Sequence, residues 1–334
     1  MTSRERTQKA LSFSKPDRAP RNLWALPYVS LFRKDELDAV LDKYPSDIES
    51  PERSPGGGND DDIRRLSKAG AYTDEWGSVW EVGEPGIIGE VKHPALADWS
   101  KLDKFQPPWD SVTKRDLSYV NRYCDQSDKF MLSSVSARPF ERLQFLRGTE
   151  NVFMDLACDE PEIRKTLAMI HEYYLLDVSA WAATNVDAIF LMDDWGTNRS
   201  LLINPEMWRA IFKPLYKDYC RIIHDAGKSV FFHSDGNIEA IYPDLIEIGV
   251  DSLNSQLFCM DIEGLAKRHK GKITFWGEID RQHVLPFGTT EDVRNAVHRV
   301  RNALGEGCGG AIAQCEWGKD NSRENIEAVF EAWL

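Results

Sequence analysis

The stretch Ser229-Val-Phe-Phe-His-Ser-Asp-Gly236 combines two features that decide the fold. Its first half is a short apolar run with a β-branched valine, which is typical of a buried β-strand. Its second half turns polar at His233 and Asp235 and ends in glycine. Because parallel α/β folds place their ligand sites at the carboxyl ends of such strands, we predict a strand over residues 229–233 that leads into a site.

The same pattern recurs on both sides of this stretch. Apolar runs alternate with amphipathic stretches, and the predicted strands cover residues 130–135, 188–192, 229–233, 252–254, 273–277 and 311–315. The predicted helices include residues 205–226 and 290–304, and the second begins with the capping-type sequence Thr289-Thr-Glu-Asp292. Such alternation indicates βαβ units, and we predict an α/β fold of the (β/α)8 TIM barrel type.

The amino-terminal third of the chain is less regular. Residues 22–26 form its clear early strand, and residues 50–110 are rich in glycine, aspartate and tryptophan. This segment is too short and too irregular to form a hydrophobic core of its own, so we interpret it as an inserted irregular region that carries a β-hairpin. The whole chain, residues 1–334, is then predicted to be a single barrel domain.

Composition and charge narrow the class of partner. The net charge is −13, which disfavours nucleic acid and anionic membrane surfaces, and no window approaches the ~18 consecutive apolar residues of a membrane span. The six cysteines are scattered without a CxxC pair, and the amino terminus has no secretory signal pattern. We therefore expect a reduced, cytoplasmic protein that acts on a small molecule.

The residues that follow each predicted strand are the candidates for a site. Several carboxylates meet there and would repel one another without a cation, which favours a metal, and zinc accepts the ligand types of His233, Asp235 and Cys315. The expected catalytic residues are Asp193, Asp194 and Glu278, and the expected substrate contacts are Trp24, Arg138, Trp195, Gln256 and Trp276.

Four of these residues also have an ordinary structural explanation. Asp193 and Asp194 could cap the next helix, Asp235 could accept hydrogen bonds from loop amides, and Cys315 could be a buried thiol. The functional interpretation depends on their convergence at one end of the barrel.

Several segments resemble the uroporphyrinogen decarboxylase superfamily, and the likeness spans essentially the whole chain. They are Arg4-Glu-Arg-Thr-Gln-Lys-Ala-Leu11 with Lys15-Pro-Asp-Arg-Ala-Pro20, Asp74-Glu-Trp-Gly77, Asp193-Asp-Trp-Gly196, Gly227-Lys-Ser-Val-Phe-Phe-His-Ser-Asp-Gly-Asn237, Ile248-Gly-Val-Asp251 and Ser322-Arg-Glu-Asn-Ile326. The resemblance implies a (β/α)8 barrel, in agreement with the alternation of predicted elements.

The resemblance also discriminates between the two chemistries of the superfamily. Decarboxylases carry a Met-Arg-Gln-Ala-Gly-Arg-Tyr segment whose arginines hold the substrate, whereas this chain has Asn22-Leu-Trp-Ala-Leu-Pro-Tyr28 and lacks their late histidine. The cobalamin-linked methyltransferase branch binds zinc through a His-x-Cys pair and a cysteine on the last strand. His233 and Cys315 match this pattern, while Asp235 replaces the middle cysteine.

The branch that it resembles implies a methyltransferase-like enzyme, which moves a methyl group between a small methylated compound and a corrinoid protein with the help of zinc. Glu278 is a candidate fourth ligand, and an aspartate ligand suits an oxygen-containing substrate better than a thiol. The alternatives are a metal-free decarboxylase or lyase acting on a small carboxylate, with Arg138 binding the acid, and a barrel that binds a ligand without turnover. Barrels of this kind often dimerise, so a homodimer is a further expectation.

Overall fold

The computed structural model describes residues 1–51, 65–305 and 309–334 of the chain. Within these ranges the strands are β1 (Arg21–Ala25), β2 (Ile48–Glu49), β3 (Gly70–Thr73), β4 (Val79–Val82), β5 (Glu90–His93), β6 (Phe130–Val135), β7 (Ala188–Met192), β8 (Ser229–Ser234), β9 (Ser252–Ser255), β10 (Thr274–Trp276) and β11 (Ala311–Trp317). Residues 52–64 of the predicted insertion, and Cys308, lie outside the described residues.

Eight of these strands form one parallel sheet in the order β1, β11, β10, β9, β8, β7, β6, β2. The two end strands approach each other, because the Asp47 backbone N–H donates to the Arg21 carbonyl at 2.8 Å. The sheet thus curls into a nearly closed barrel, and the prediction of a TIM barrel is confirmed.

Helices follow the strands and cover the outside of the barrel. They are α1 (Ser3–Leu11), α2 (Pro27–Phe32), α3 (Lys34–Lys43), α4 (Trp109–Thr113), α5 (Ser118–Asp125), α6 (Pro139–Arg147), α7 (Thr149–Cys158), α8 (Pro161–Ala182), α9 (Pro205–Ile211), α10 (Lys213–Asp225), α11 (Tyr242–Glu247), α12 (Ile262–His269), α13 (Val284–Phe287), α14 (Thr290–Val300) and α15 (Arg323–Ala332). No helix in the described ranges is long and apolar enough to cross a membrane.

Three details differ from the sequence-based prediction. The single helix predicted over residues 205–226 is two helices, because Pro214, in the first turn of α10, has no N–H to continue the ladder of the preceding helix. Residues 301–305 leave the α-helical pattern after α14 and form a π-helical turn. The second barrel strand, β2, was not predicted because two residues carry no periodic signal.

The inserted segment folds as a small antiparallel sheet between the second and third barrel strands, in the order β3, β4, β5. Its first hairpin turns through Asp74-Glu-Trp-Gly77, where Asp74 Oδ1 accepts the backbone N–H groups of Trp76 and Ser78 at 3.0 and 2.9 Å. Gly77 adopts a φ of +85°, which glycine tolerates without strain. The predicted β-hairpin is therefore confirmed and extended by a third strand.

Side chains alternate between the two faces of the barrel strands. The inward-facing apolar cluster contains Ile48, Phe130, Leu132, Ala188, Phe190, Phe231, Trp276 and Ile312. A larger cluster lies between the strands and the helices and includes Ala313, Cys315 and Trp317 of β11. On β11 the residues of even number thus face the interior and those of odd number face the helices.

Candidate active site

Two neighbouring strand ends bring three side chains together. His233 lies near the end of β8, Asp235 follows it, and Asp194 follows β7, which pairs with β8 in parallel register. Each of the three offers one ligand-type atom, and these atoms all lie within 4.8 Å of one another. His233 is buried, whereas the Asp194 side chain is 39% exposed and leaves the cluster open on one side.

The imidazole of His233 is held in a defined orientation. Its Nδ1 lies 2.6 Å from Asn254 Oδ1, and the Asn254 amide nitrogen donates to Gln314 Oε1 at 3.0 Å. Because the amide oxygen of Asn254 can only accept, Nδ1 carries the proton and Nε2 faces the carboxylates. Nε2 is 3.3 Å from Asp235 Oδ1 and 3.5 Å from Asp194 Oδ1.

Electrostatics favour charged forms of the central pair. Burial lowers the pKa of His233, but the contact with Asp235 and the charge of Asp194 outweigh burial and raise this pKa to about 9. Burial also opposes ionisation of Asp235, yet His233 and Arg281 lower its pKa to about 2. Asp235 Oδ1 is buried and pairs with His233 Nε2 at 3.3 Å, without a well-formed hydrogen bond among the described residues. A divalent cation between this oxygen and the imidazole nitrogen would take the place of the imidazole proton.

A second set of charges adjoins this cluster and surrounds Arg281. The guanidinium pairs with Asp235, with Glu316 at 3.0 Å and with Glu278 at 3.5 Å. Burial raises the pKa of Glu278 to about 8, assisted by the charges of Asp235 and Glu316 and opposed by Arg281. Glu278 is therefore largely protonated at neutral pH and can serve as a proton donor.

Asp193, in contrast, lies beneath the mouth and is fully buried. Its carboxylate accepts the backbone N–H groups of Phe140 and Glu141 at 2.8 and 2.7 Å and the hydroxyl of Tyr216 at 2.5 Å. Burial, with the charge of Glu141, raises the pKa of Asp193 well above its ordinary value. This carboxyl group caps a helix, but the helix is α6 of the preceding βα unit rather than the next one along the chain.

The three tryptophans predicted to contact the substrate lie in two different places. Trp24 lies inside the barrel, with its ring centroid 5.2 Å from that of His233 and 5.0 Å from that of Trp276. Trp276 is fully buried there and donates to Asn22 Oδ1 at 2.9 Å. Trp195 is also fully buried but lies in the outer layer, stacked on Phe140 with the ring centroids 4.1 Å apart. The structure thus places Trp24 beside His233, Trp276 behind Trp24 in the inner core of the barrel, and Trp195 in the outer core.

The other predicted contacts are placed as follows. Gln256 Oε1 accepts the backbone N–H of Gly236 at 2.9 Å, which holds the loop after β8. Arg138 pairs with Glu141 at 2.7 Å and lines a cavity beside the mouth.

Cys315 is fully buried among the outer apolar residues, and burial raises its thiol pKa far above the ordinary range. The structure does not bring Cys315 together with His233 and Asp235, and Asp194 occupies the third position of the cluster instead.

The donor set of the cluster fits a divalent metal. One imidazole and two carboxylates are ligand types that zinc accepts, and three protein ligands with an open position are the usual arrangement of catalytic zinc. The Asn254 contact to Nδ1 supplies the outer hydrogen bond that orients metal-binding histidines. The buried Oδ1 of Asp235, which has no well-formed hydrogen bond among the described residues, supports this fit independently of residue type.

Sequence reasoning missed Arg281 and Asn254. Arg281 follows Glu278 by three residues in the loop after β10, and a cation within a series of strand-end carboxylates was the signal available for it. Asn254 is an inward-facing polar residue in β9, in register with His233. Its function depends on the pairing of the strands, which the sequence alone does not display.

The fold and the site together define an α/β barrel protein with a polar, titratable cluster at the carboxyl ends of its strands. The sequence profile of the family described as Uroporphyrinogen decarboxylase (URO-D) matches residues 78–333. The chain belongs to this family.

Solved structures with the same fold include a methyltransferase from Methanosarcina mazei, at 13% sequence identity and a TM-score of 0.69, with 100% of this chain and 98% of that chain covered. A glycosylated endo-beta-1,4-xylanase of glycoside hydrolase family 10 from Gloeophyllum trabeum aligns at 10% identity and a TM-score of 0.49, over 98% and 99% of the two chains. A search of curated proteins finds no match.

Proposed function

We propose that this protein is a methyl-transfer enzyme whose cluster of Asp194, His233 and Asp235 binds zinc. The observation that carries the proposal is the convergence of three ligand-type atoms within 4.8 Å of one another, with Asp235 Oδ1 buried and paired with His233 Nε2 without a well-formed hydrogen bond among the described residues. Family membership and a shared fold with a methyltransferase support methyl transfer as the type of reaction. The substrate would be a small methylated compound, an ether or an amine, and the methyl acceptor or donor would be a corrinoid protein.

Zinc held by these three residues would act as a Lewis acid on the heteroatom of the substrate. The zinc ligands proposed here differ from the sequence-based set, because Asp194 replaces Cys315. Carboxylate ligands suit an oxygen or nitrogen atom better than a sulfur atom, which favours an ether or an amine over a thiol as the substrate.

Residues of the chain itself would donate the proton to the substrate and take it back in the reverse reaction. When the bond between the methyl carbon and the heteroatom breaks, the electron pair stays on the heteroatom and the methyl group leaves to its acceptor. Glu278, which is protonated near neutral pH, would donate its proton to that heteroatom. Arg281 would hold the resulting Glu278 carboxylate and keep Asp235 ionised toward the cluster. In the reverse direction the Glu278 carboxylate would take the proton.

The zinc site is tested by elemental analysis of the purified protein after incubation with zinc and gel filtration. We expect about one zinc per chain for the wild type. His233→Ala should lose it, because the variant removes the nitrogen ligand, whereas the matched control Cys315→Ser should retain it. Zinc retained by His233→Ala, or lost from Cys315→Ser, would contradict the proposed ligand set.

The reaction is tested by following the absorbance of free cob(I)alamin with a panel of methyl ethers and methylamines. Wild-type protein loaded with zinc should convert it to methylcobalamin with at least one member of the panel. Asp235→Asn should lower the rate by roughly 10²-fold or more, since it weakens the metal site. A panel without turnover, in protein that does bind zinc, would refute methyl transfer while leaving the metal site in place.

A second candidate function is metal-free decarboxylation or lyase chemistry on a small carboxylate. The observation that favours it is the neutral, buried Glu278 beside Arg281, which pairs a proton donor with a cation. Release of CO2 from a panel of carboxylic acids by protein treated with a chelator would support this function. Loss of that activity in Glu278→Gln would assign the proton donor.

A further inference from the structure

A large cavity lies beside the mouth of the barrel, apart from the cluster of Asp194, His233 and Asp235. Its volume is about 650 Å³, within the range of small-molecule sites. It is bounded by the carboxyl end of β6 at Val135 and Ser136, by helices α4, α5 and α8, and by the hairpin of the inserted sheet. The insertion thus closes one side of a chamber that the barrel alone would leave open.

The walls of this cavity are aromatic on one side. Trp76 of the inserted hairpin packs edge to face against Tyr173 of α8, with the ring centroids 4.7 Å apart. Tyr174 and Trp181 of the same helix continue the wall, and the centroids of Tyr173 and Tyr174 are 5.5 Å apart. Such a surface favours a flat, apolar ligand body.

The remaining wall carries guanidinium groups. Three carboxylates line the cavity, namely Glu75, Asp116 and Asp177. Four arginines also line it, namely Arg115, Arg122, Arg138 and Arg142. Glu75 and Asp116 are exposed at the rim. The carboxylates that pair with Arg138 and Arg142, namely Glu141 and Asp74, do not line the cavity. Arg115 is paired with Asp177 within the lining, whereas the counter-ions of Arg138 and Arg142 lie outside it.

Two N–H donors in this wall have no acceptor among the described residues. They are Nε of Arg142 and Nε1 of Trp181, both buried. The Arg142 guanidinium is held in place by Asp74 at 3.3 Å and lies over the Trp76 ring, 4.7 Å from its centroid. The Arg142 guanidinium is therefore fixed in place before a ligand arrives.

We infer that this cavity binds an aromatic carboxylate. The ring would lie against Trp76, Tyr173 and Tyr174, and the carboxylate would meet the guanidinium groups of Arg138 and Arg142. Arginine suits this ligand because its planar fork matches a carboxylate, and because a held guanidinium loses little freedom on binding.

The cavity adjoins the proposed reaction centre through Arg138. Arg138 is paired with Glu141, and the Glu141 carboxyl group interacts electrostatically with Asp194 and His233. The assignment of this ligand as the methyl-bearing substrate rests on the proposed function. Binding of the ligand does not rest on that function, so the binding site and the proposed function can fail separately.

The test is isothermal titration calorimetry of zinc-loaded protein with two probes of similar shape, 4-methoxybenzoate and its uncharged counterpart methoxybenzene. Wild type should bind 4-methoxybenzoate at least about tenfold more tightly than methoxybenzene, because only the first pairs with the arginines. Equal affinity for the two probes, or no binding of either, would overturn the inference.

Variants assign the binding to the cavity. Arg142→Gln and the double variant Arg138→Gln with Glu141→Gln should each weaken 4-methoxybenzoate binding roughly tenfold. The double variant avoids leaving Glu141 as an unpaired buried charge. Arg122→Gln, at the exposed rim, should lower affinity by a smaller factor without a risk to folding. The control Arg299→Gln makes the same change of charge in an exposed pair with Glu263 and should bind like wild type.

Failure of this inference is distinguishable from failure of the proposed function. His233→Ala should lose zinc and still bind 4-methoxybenzoate. If the cavity variants all bind this probe as wild type does, the aromatic carboxylate site is refuted, whatever the zinc content shows.

Discussion

The carboxyl ends of β8 and β11 each carry a residue that the sequence predicts as a metal ligand, but the fold places these two residues differently. At the end of β8, His233 faces the barrel interior and meets Asp235 and Asp194. At the end of β11, Cys315 faces the helices and is fully buried in the outer apolar layer, while the next residue, Glu316, faces the interior and pairs with Arg281. A difference of one residue in register therefore decides whether a strand-end side chain belongs to the site or to the core.

Arg281 joins these two strand ends, so its removal is the strongest test of the comparison. Arg281→Met leaves Asp235 and Glu316 without their shared cation, and we expect the free energy of unfolding to fall by about 3–5 kcal/mol at pH 7.5. Part of the loss should be recovered at pH 5, where the orphaned carboxylates can protonate. Urea unfolding monitored by circular dichroism measures both effects.

The control for this variant is Arg299→Met, which breaks an exposed pair with Glu263 and should cost less than about 1 kcal/mol. If Arg281→Met unfolds at the same urea concentration as this control, the two strand ends are not coupled through Arg281.

Glu278, which pairs with the same arginine, gives the next largest effect. Its pKa is raised from 4.5 to about 8 in the folded protein, so between these values the folded state binds a proton that the unfolded state has released. Stability should therefore decrease as pH rises through this window, with a contribution from this group of up to about 1.4 kcal/mol per pH unit.

Glu278→Gln removes this contribution. Urea midpoints of chelator-treated protein at pH 5.5, 6.5 and 7.5 should show a shallower fall with pH for the variant than for the wild type. Parallel pH profiles for the two proteins would show that Glu278 ionises normally.

The smallest effect concerns Cys315 itself. Cys315→Ser places a hydroxyl in the outer apolar layer and should lower the free energy of unfolding by about 1–3 kcal/mol. Cys158→Ser, at an exposed position, should change it by less than about 0.5 kcal/mol. A Cys315→Ser protein of wild-type stability would mean that the thiol is not packed as the register of β11 requires.

The sequence was sufficient for most of the barrel because apolar runs and helical periodicity are local signals. All seven predicted strands coincide with observed strands or overlap them by most of their length, namely β1, β6, β7, β8, β9, β10 and β11, and the capping sequence at Thr289 begins α14. The same local signal failed for β2, which has two residues, and for the break at Pro214, where the apolar pattern continues across the interruption.

The site was less predictable because membership in it depends on pairing between strands. Asp194, His233 and Asp235 were all identified as strand-end residues, and the structure places them together. Asn254 and Arg281 contact this group through strand register and loop direction, which the sequence does not display.

By itself, the sequence determined the class of fold, the strand ends that carry polar residues and the presence of a hairpin in the insertion, since each follows from residues close together along the chain. Only the tertiary structure decided that Cys315 faces the core, that Asp194 stands beside His233, and that Arg281 lies between Asp235 and Glu316. The physical reason is the two-residue period of a β-strand: it assigns each side chain to one face, but the packing of the whole barrel determines which face is the interior.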